Sequence, residues 1–332
     1  MDSLTHIVLG AATGQVVLGK EVGNKSLFWG AIAGSLPDFD AIFTPFIEPV
    51  SSLLFHRGPS HSLLFALIIA PIFGYLVHRI HKVSSITKWT GLFLLSIVMH
   101  STIDIFNTYG TALLWPFSNV RLAFDSLGII DLFLIIPILT LAILMVFKPQ
   151  LSLARQKIAS SILIFTLAFV LFSIGNKQLI EHRVKQQLKK ASLDYNHIKT
   201  APLPLTNFLW LFLVEDSSGY NYGYIGNFDE KDVLIRYIPR NHELLGNYAQ
   251  NDEILKLIRF TKGFYTVKQF EDPSLWLYDL RFGSMAFESD DWYVFSFKLD
   301  GNPNSPSVSR AHPNRSFGIK TIKDYWHRLF NS

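Results

Sequence analysis

The sequence predicts an all-α polytopic membrane domain of about six hydrophobic segments, the first two short, followed by a small α+β extramembrane domain. Three observations lead there. Hydrophobic residues make up 49% of the 332 residues and charged ones only 17%, which lies toward the membrane end of the usual range. The apolar residues concentrate before residue 176, in runs almost free of charge. Past Pro202 the texture changes to short β-like runs broken by Gly, Asn and Asp.

A helix needs about 20 apolar residues to cross the hydrocarbon. Residues 62–77, 89–105, 129–147 and 158–175 meet that need, the first with help from its flanks. Residues 4–18 and 26–36 are shorter and read as packed half-spans or a re-entrant pair, because backbone at membrane depth must be covered by protein. The acidic start Met1-Asp2-Ser3, with its first lysine at Lys20, does not read as a cleavable signal. These segments define a membrane domain at 1–176. Residues 177–201 form an amphipathic helical stalk, with Leu179, Ile180, Val184 and Leu188 on one side, and 202–332 form the α+β domain. Within the last, residues 208–214, 220–225, 233–237 and 292–298 read as strands and 253–260 as a helix.

Charge sets the orientation. Loops 19–25, 79–88 and 148–157 hold Lys20, Lys25, Arg79, Lys82, Lys88, Lys148, Arg155 and Lys157, whereas loops 37–61 and 106–125 hold only Arg57 and Arg121. The positive-inside rule puts the first set in the cytoplasm and both termini outside, with earlier helices outweighing the basic run Lys177 to Lys190. The net charge of +4 is accounted for by such loops, and no nucleic-acid partner is expected. With no cysteine in the chain, any metal must be held by His, Asp or Glu.

Several ionisable residues lie at or near membrane depth, where each costs roughly 2.5–3.5 kcal/mol at a helix centre and is normally functional or paired. His100 and Asp104, at i and i+4 on one helix face, have the spacing to share a metal or to form an ordinary hydrogen bond. His56 and His61 flank Gly58-Pro59, a turn that can bring two imidazoles to one point; the alternative is an interfacial loop with Arg57 snorkelling. Asp38 and Asp40 follow Pro37, and two carboxylates so spaced either chelate a cation or simply form a turn. His6 stands near the start of the first segment, and Asp131 lies in the fifth with no Lys or Arg nearby in sequence; Asp125 reads as a helix cap. Under the charge-derived orientation all of these fall near the outer face. His78 and His81 fall on the cytoplasmic side and are set aside, while His182, His197, His242, His312 and His327 read as surface residues.

The motifs MDSLTHIVLGAATG, GSLPDFD and HRGPSHSL, the HxxxD of His100 and Asp104, and Asp125 with IID at Asp131 resemble the YdjM-type family, described as LexA-binding, inner-membrane-associated metal-dependent hydrolases. The resemblance covers roughly residues 1–175. It implies a metal site formed by His6, Asp38, Asp40, His56, His61, His100 and Asp104, to which the reading of the fifth segment adds Asp131. A distant similarity to zinc-dependent phospholipase C and P1-nuclease folds is implied as well. The expectation is a multi-pass protein of the inner (plasma) membrane, its C-terminal domain extracytoplasmic, binding a divalent metal, Zn2+ first among them. Asp40, His56, Arg57 and Asp104 are the expected catalytic residues, with Asp40 and Asp104 bridging metals and Arg57 holding an anionic group. The substrate is a phosphoester or lipid-linked compound at the outer face. The alternatives are a metal or proton transporter and a non-catalytic membrane partner of a DNA-damage regulator.

Overall fold

In the computed structural model the described residues are 1–195, 197–270, 274–284, 293–302, 305–311 and 319–330, without the side chains of 305, 319–322 and 330. Trp292, the start of one expected strand, and His312 lie outside them. The chain divides into two compact units, Met1–Phe46 with Phe55–Ile174, and Ile47–Leu54 with Gly175–Ser332.

The first unit is helical. Asp2 caps α1 (Ser3–Val22) by accepting from the Thr5 amide at 2.9 Å. Gly23 turns the chain into α2 (Asn24–Ser35), and a 3-10 segment, Pro37–Phe46, follows. After α3 (Pro49–Phe55) and a 3-10 turn at Pro59–His61, Ser62 caps α4 (Leu63–His81) and Ser85 caps α5 (Ile86–Asp104). Asp131 caps α6 (Leu132–Val146), and α7 runs unbroken over Leu153–Lys190. Asp125, expected as a cap, instead sits in a loop with a left-handed φ of 51°.

Among the described residues three helices, α4, α5 and α7, are long and apolar enough to cross a membrane, where four of the six expected segments read as long enough. At 1.5 Å per residue α6 rises only about 22 Å and α2 about 18 Å, short of a hydrocarbon core of about 30 Å. α1 has the length, but Gly10, Gly14, Gly19, Gln15 and its terminal Lys20 and Glu21 dilute its apolar character.

Direction nevertheless alternates through all six of these helices, α3 excepted. The α1–α2 turn at Gly23 lies beside Gln150, between α6 and α7, whose side chain accepts from the Asn24 amide at 3.2 Å. Gln156, early in α7, donates to the Val16 carbonyl at 3.0 Å. At the other end Asn107 bridges to Leu127 ahead of α6, and Ser173, midway along α7, lies 3.3 Å from the Ser126 hydroxyl.

α1 and α2 meet through glycine. A Cβ added to Gly10 would lie 2.2 Å from the Gly30 carbonyl, and one on Gly30 would lie 2.2 Å from the Gly10 carbonyl, so these backbones touch where a side chain would stand. α5 packs on α4 and α1 through Trp89, Leu92, Phe93 and Ile97 against Leu18, Ala66, Ala70 and Val77.

In the second unit, the expected stalk is part of a packed core. Ile180, Val184 and Leu188 of α7 are buried against Trp210, Phe212, Val214 and Ile225, each worth about 1.5–3 kcal/mol of apolar burial. Strands β1 (Ile198–Pro202), β2 (Leu209–Glu215), β3 (Gly219–Gly226) and β4 (Arg236–Pro239) form one antiparallel sheet. After α8 (Asp252–Phe260), β5 (Tyr265–Gln269), β6 (Leu275–Ser284), β7 (Tyr293–Asn302) and β8 (Ser305–Arg310) form a second. β2 is buried on both faces. Its even positions 210, 212 and 214 meet α7, and its odd positions 209, 211 and 213 join Tyr278 and Leu280 of β6. α9 (Ile319–Phe330) adds Tyr325 and Leu329 to that second core.

Candidate metal centre

Four elements bring their ends together at the pole where α2 ends and α4 begins. The glycine contact sets the first step, because a Cβ on Gly34 would lie 2.4 Å from the His6 carbonyl, so the start of α1 lies directly on the end of α2. The Gly34 carbonyl then accepts from His100 Nδ1 at 2.6 Å, and the His6 ring stacks on His100 with centroids 3.5 Å apart. One helical turn beyond His100, Asp104 lies 3.3 Å from His6 Nε2.

The protonation pattern follows from the hydrogen bonds. A carbonyl only accepts, so neutral His100 carries its proton on Nδ1 and leaves a lone pair on Nε2. Ser60 Oγ donates to Asp40 at 2.6 Å, which uses its one proton, so His61 Nδ1, 3.0 Å from that oxygen, must donate to it. His61 therefore also presents a bare Nε2. Desolvation lowers its pKa to about 4, which keeps the ring neutral at pH 7. The two bare nitrogens face each other at 3.1 Å. Asp38 Oδ1 is 3.4 Å from one and 3.5 Å from the other, and Asp104 Oδ2 is 3.6 and 3.7 Å away.

Facing lone pairs repel unless a cation or a proton lies between them. Nitrogens bound at 2.0–2.1 Å to one tetrahedral zinc lie about 3.3 Å apart, close to the separation seen. Neutral imidazoles and ionised carboxylates are also the protonation states that a metal demands. Two groups that could hold an ion emerge, His6 with His100 and Asp104, and Asp38 with His61 and His100. They share His100, and Asp104 reaches both. The residues fit a divalent metal.

His56 and Asp40 stand beside this cluster. His56 Nδ1 lies 2.8 Å from Asp40, so the carboxylate fixes the tautomer with Nε2 free, and at 27% exposure the ring reaches the surface. Burial raises the Asp40 carboxyl, yet hydrogen bonds from His56 and Ser60 bring it below its ordinary value. Arg57, expected to hold an anionic group, is turned inward and 4% exposed. Its Nε lies 3.2 Å from Asp104, Nη1 donates to Asn107 at 2.7 Å and the guanidinium lies over Tyr109. Its donors serve Asp104 and its surroundings. Asp131 spends one carboxylate oxygen on the Phe133 amide at 3.0 Å and belongs to neither group. Asn107 and the Gly34 carbonyl carried no signal in the sequence; Ser60, which reads as an N-cap from its place before an apolar segment, instead binds Asp40 and His61, and Ser62 caps α4.

At the opposite pole, His81 accepts from the Trp29 indole N–H at 2.9 Å and stacks on Trp89, which gives it a packing role. His78 and His81 sit at the far end of α4, about 25 Å along the helix from His61.

Over 316 residues, 89% of each chain, the protein is 26% identical to the uncharacterized protein YfhP of Bacillus subtilis (strain 168). Inner membrane protein YbcI of Escherichia coli (strain K12) is 31% identical over 121 residues, 36% of this chain and 69% of that one. No solved structure matches the chain significantly. The family model described as "YdjM inner membrane protein" matches residues 1–179, more than half of the chain and every residue of the candidate centre, and the protein belongs to that family.

Proposed function

We propose that the protein is a metal-dependent hydrolase of the inner membrane, with its centre at the outer face and a phosphoester or lipid-linked substrate. The observation that carries this reading is the pair of bare Nε2 atoms of His61 and His100 facing each other at 3.1 Å between Asp38 and Asp104. A bound divalent ion would lower the pKa of a water ligand and polarise a phosphoryl or acyl oxygen. His6, His61, His100, Asp38 and Asp104 would hold it. Arg57 fixes and charge-balances Asp104, whose carboxylate lies otherwise fully buried. His56, oriented by Asp40 and half-open to solvent, has the geometry of a proton carrier: Nε2 takes a proton from the attacking water and returns it to the leaving oxygen.

Elemental analysis of the purified full-length protein tests the metal. A stoichiometric transition metal is expected, lost in His100→Ala and Asp104→Ala and kept in His81→Ala. Equal loss from all three would sink the assignment. Chelator-sensitive, metal-restored hydrolysis across phosphomonoesters, phosphodiesters and lipid esters tests catalysis, and His56→Ala should abolish turnover while retaining metal. A metal-loaded protein inert on the whole panel would favour a binding or transport role.

A further inference from the structure

Both loops that flank the candidate centre carry their polar groups inward and large apolar side chains outward. In the 3-10 segment 37–46, Asp40 is buried on His56 and Ser60 while Ile42, Phe43 and Phe46 are 65%, 58% and 86% exposed. In the loop that follows α5, Arg121 turns in to donate to the His56 carbonyl at 2.8 Å, while Leu114, Phe117 and Val120 are 49%, 88% and 64% exposed. The second loop is tied to the first unit's site segment by the Ala112 amide on the Arg57 carbonyl and the Leu63 amide on the Leu113 carbonyl, each at 3.0 Å.

Apolar groups this large, left facing outward beside a polar cluster, mark a surface with an apolar partner. The position of the loops says which. His61 lies two residues before the span α4 and Asp104 is the last residue of the span α5, so both loops leave the fold at the membrane boundary. The span α4 is likewise apolar outward near its start, at Leu67 and Ile68. The two arginines of the loops are engaged inward, so the exposed rim offers apolar groups and no free guanidinium to headgroups. His56 and Asp38 are the partly exposed members of the centre.

Building on the hydrolase reading, we propose that these two loops form an apolar collar seated in the lipid leaflet, and that the substrate is the phosphate ester of a membrane-resident amphiphile which enters from the leaflet. The acyl portion would lie along the collar while the headgroup reaches the His and Asp cluster. A water-soluble ester would gain nothing from such a rim.

The cysteine-free chain permits a direct test. Phe43→Cys, Phe117→Cys and, in the exposed β2–β3 turn, Ser217→Cys are each labelled with bimane in the otherwise intact protein, reconstituted into phosphatidylcholine nanodiscs, and checked for metal. Doxyl-labelled lipid should quench positions 43 and 117 at least threefold more than position 217, with aqueous iodide showing the reverse order. Quenching at 43 and 117 no stronger than at 217, whether because water or because protein covers them, overturns the collar. The metal content of the same samples reports separately on the centre.

The substrate half is read with Phe43→Ser and Phe117→Ser. Turnover of a diacyl phosphate monoester in vesicles should fall about tenfold, while that of p-nitrophenyl phosphate stays unchanged. Equal loss on both probes, or loss on neither, overturns the lipid-borne assignment. No turnover of either probe by metal-loaded wild type removes the hydrolase reading and the substrate with it, and leaves the collar to the quenching result.

Discussion

At the scale of single residues, the centre depends on how its histidines are held as much as on their presence. His61 becomes a donor to metal because Ser60 passes on the demand of Asp40: the carboxylate takes the hydroxyl proton, and the hydroxyl oxygen then takes the imidazole proton. His100 is fixed in the same sense by a backbone carbonyl. Groups that orient metal ligands typically contribute 10–100-fold in affinity. Ser60→Ala should therefore weaken metal binding by roughly tenfold or more, measured by competition with a chromogenic chelator, while the melting temperature of the metal-free protein stays near wild type. Undiminished affinity would mean that Ser60 does not set the tautomer. Among the candidate ligands, the i, i+4 pair His100 and Asp104 and the turn between His56 and His61 carried their own local signal, whereas His6, Asp38 and Asp40 joined them through a shared face and the family resemblance. Ser60 was legible only as a cap, and the inward role of Arg57 not at all, since a residue's partners across 47 or 50 positions leave no local trace.

At the scale of elements, the position of His6 is decided by glycine packing some distance away. Gly10 and Gly30 allow α1 and α2 to touch, and that contact carries His6 onto Gly34 and His100. Gly30→Ala places a methyl group against the Gly10 carbonyl and should force the pair apart, costing about 1–3 kcal/mol as overpacking does. Detergent melts should show that loss, and metal content should fall although no ligand has changed. Retention of both would show that the helices can separate without disturbing the cluster. The sequence's apolar runs located the helices but not their lengths. The 19-residue run at 129–147 yields a helix of only 15, because Asp131 caps it and its first two residues stay in the loop. The amphipathic pattern after 176 was visible, yet a stripe of Leu179, Ile180, Val184 and Leu188 does not say whether it meets a sheet or another helix. Its partners, Trp210, Phe212 and Val214, are set by β2 burying both faces.

At the scale of the molecule, orientation is the property on which the proposed substrate depends. The alternation of the six helices gathers the turns after α1, α4 and α6 at one pole, and the residues of the candidate centre at the other. Lys20, Lys25, Lys82, Lys148 and Arg155 all fall at the turn pole, whereas the site pole of this unit keeps Arg57 and Arg121, both engaged inward. The positive-inside rule acts on short loops such as these and makes the turn pole the expected cytoplasmic side. The loop charges make an extracytoplasmic C-terminal domain the expectation. The basic residues Lys177, Arg183, Lys185, Lys189 and Lys190 oppose this, but they belong to a folded domain, and long domains translocate largely regardless of charge. Single cysteines at Ser217 and Ser84 of this cysteine-free chain can decide the matter in intact spheroplasts. An impermeant maleimide should label Ser217→Cys, and should reach Ser84→Cys only after lysis. The opposite pattern would put the cluster on the cytoplasmic face, removing the outer-leaflet substrate while leaving the metal ligands where they are, and it would restore a cytoplasmic surface large enough for a regulatory partner.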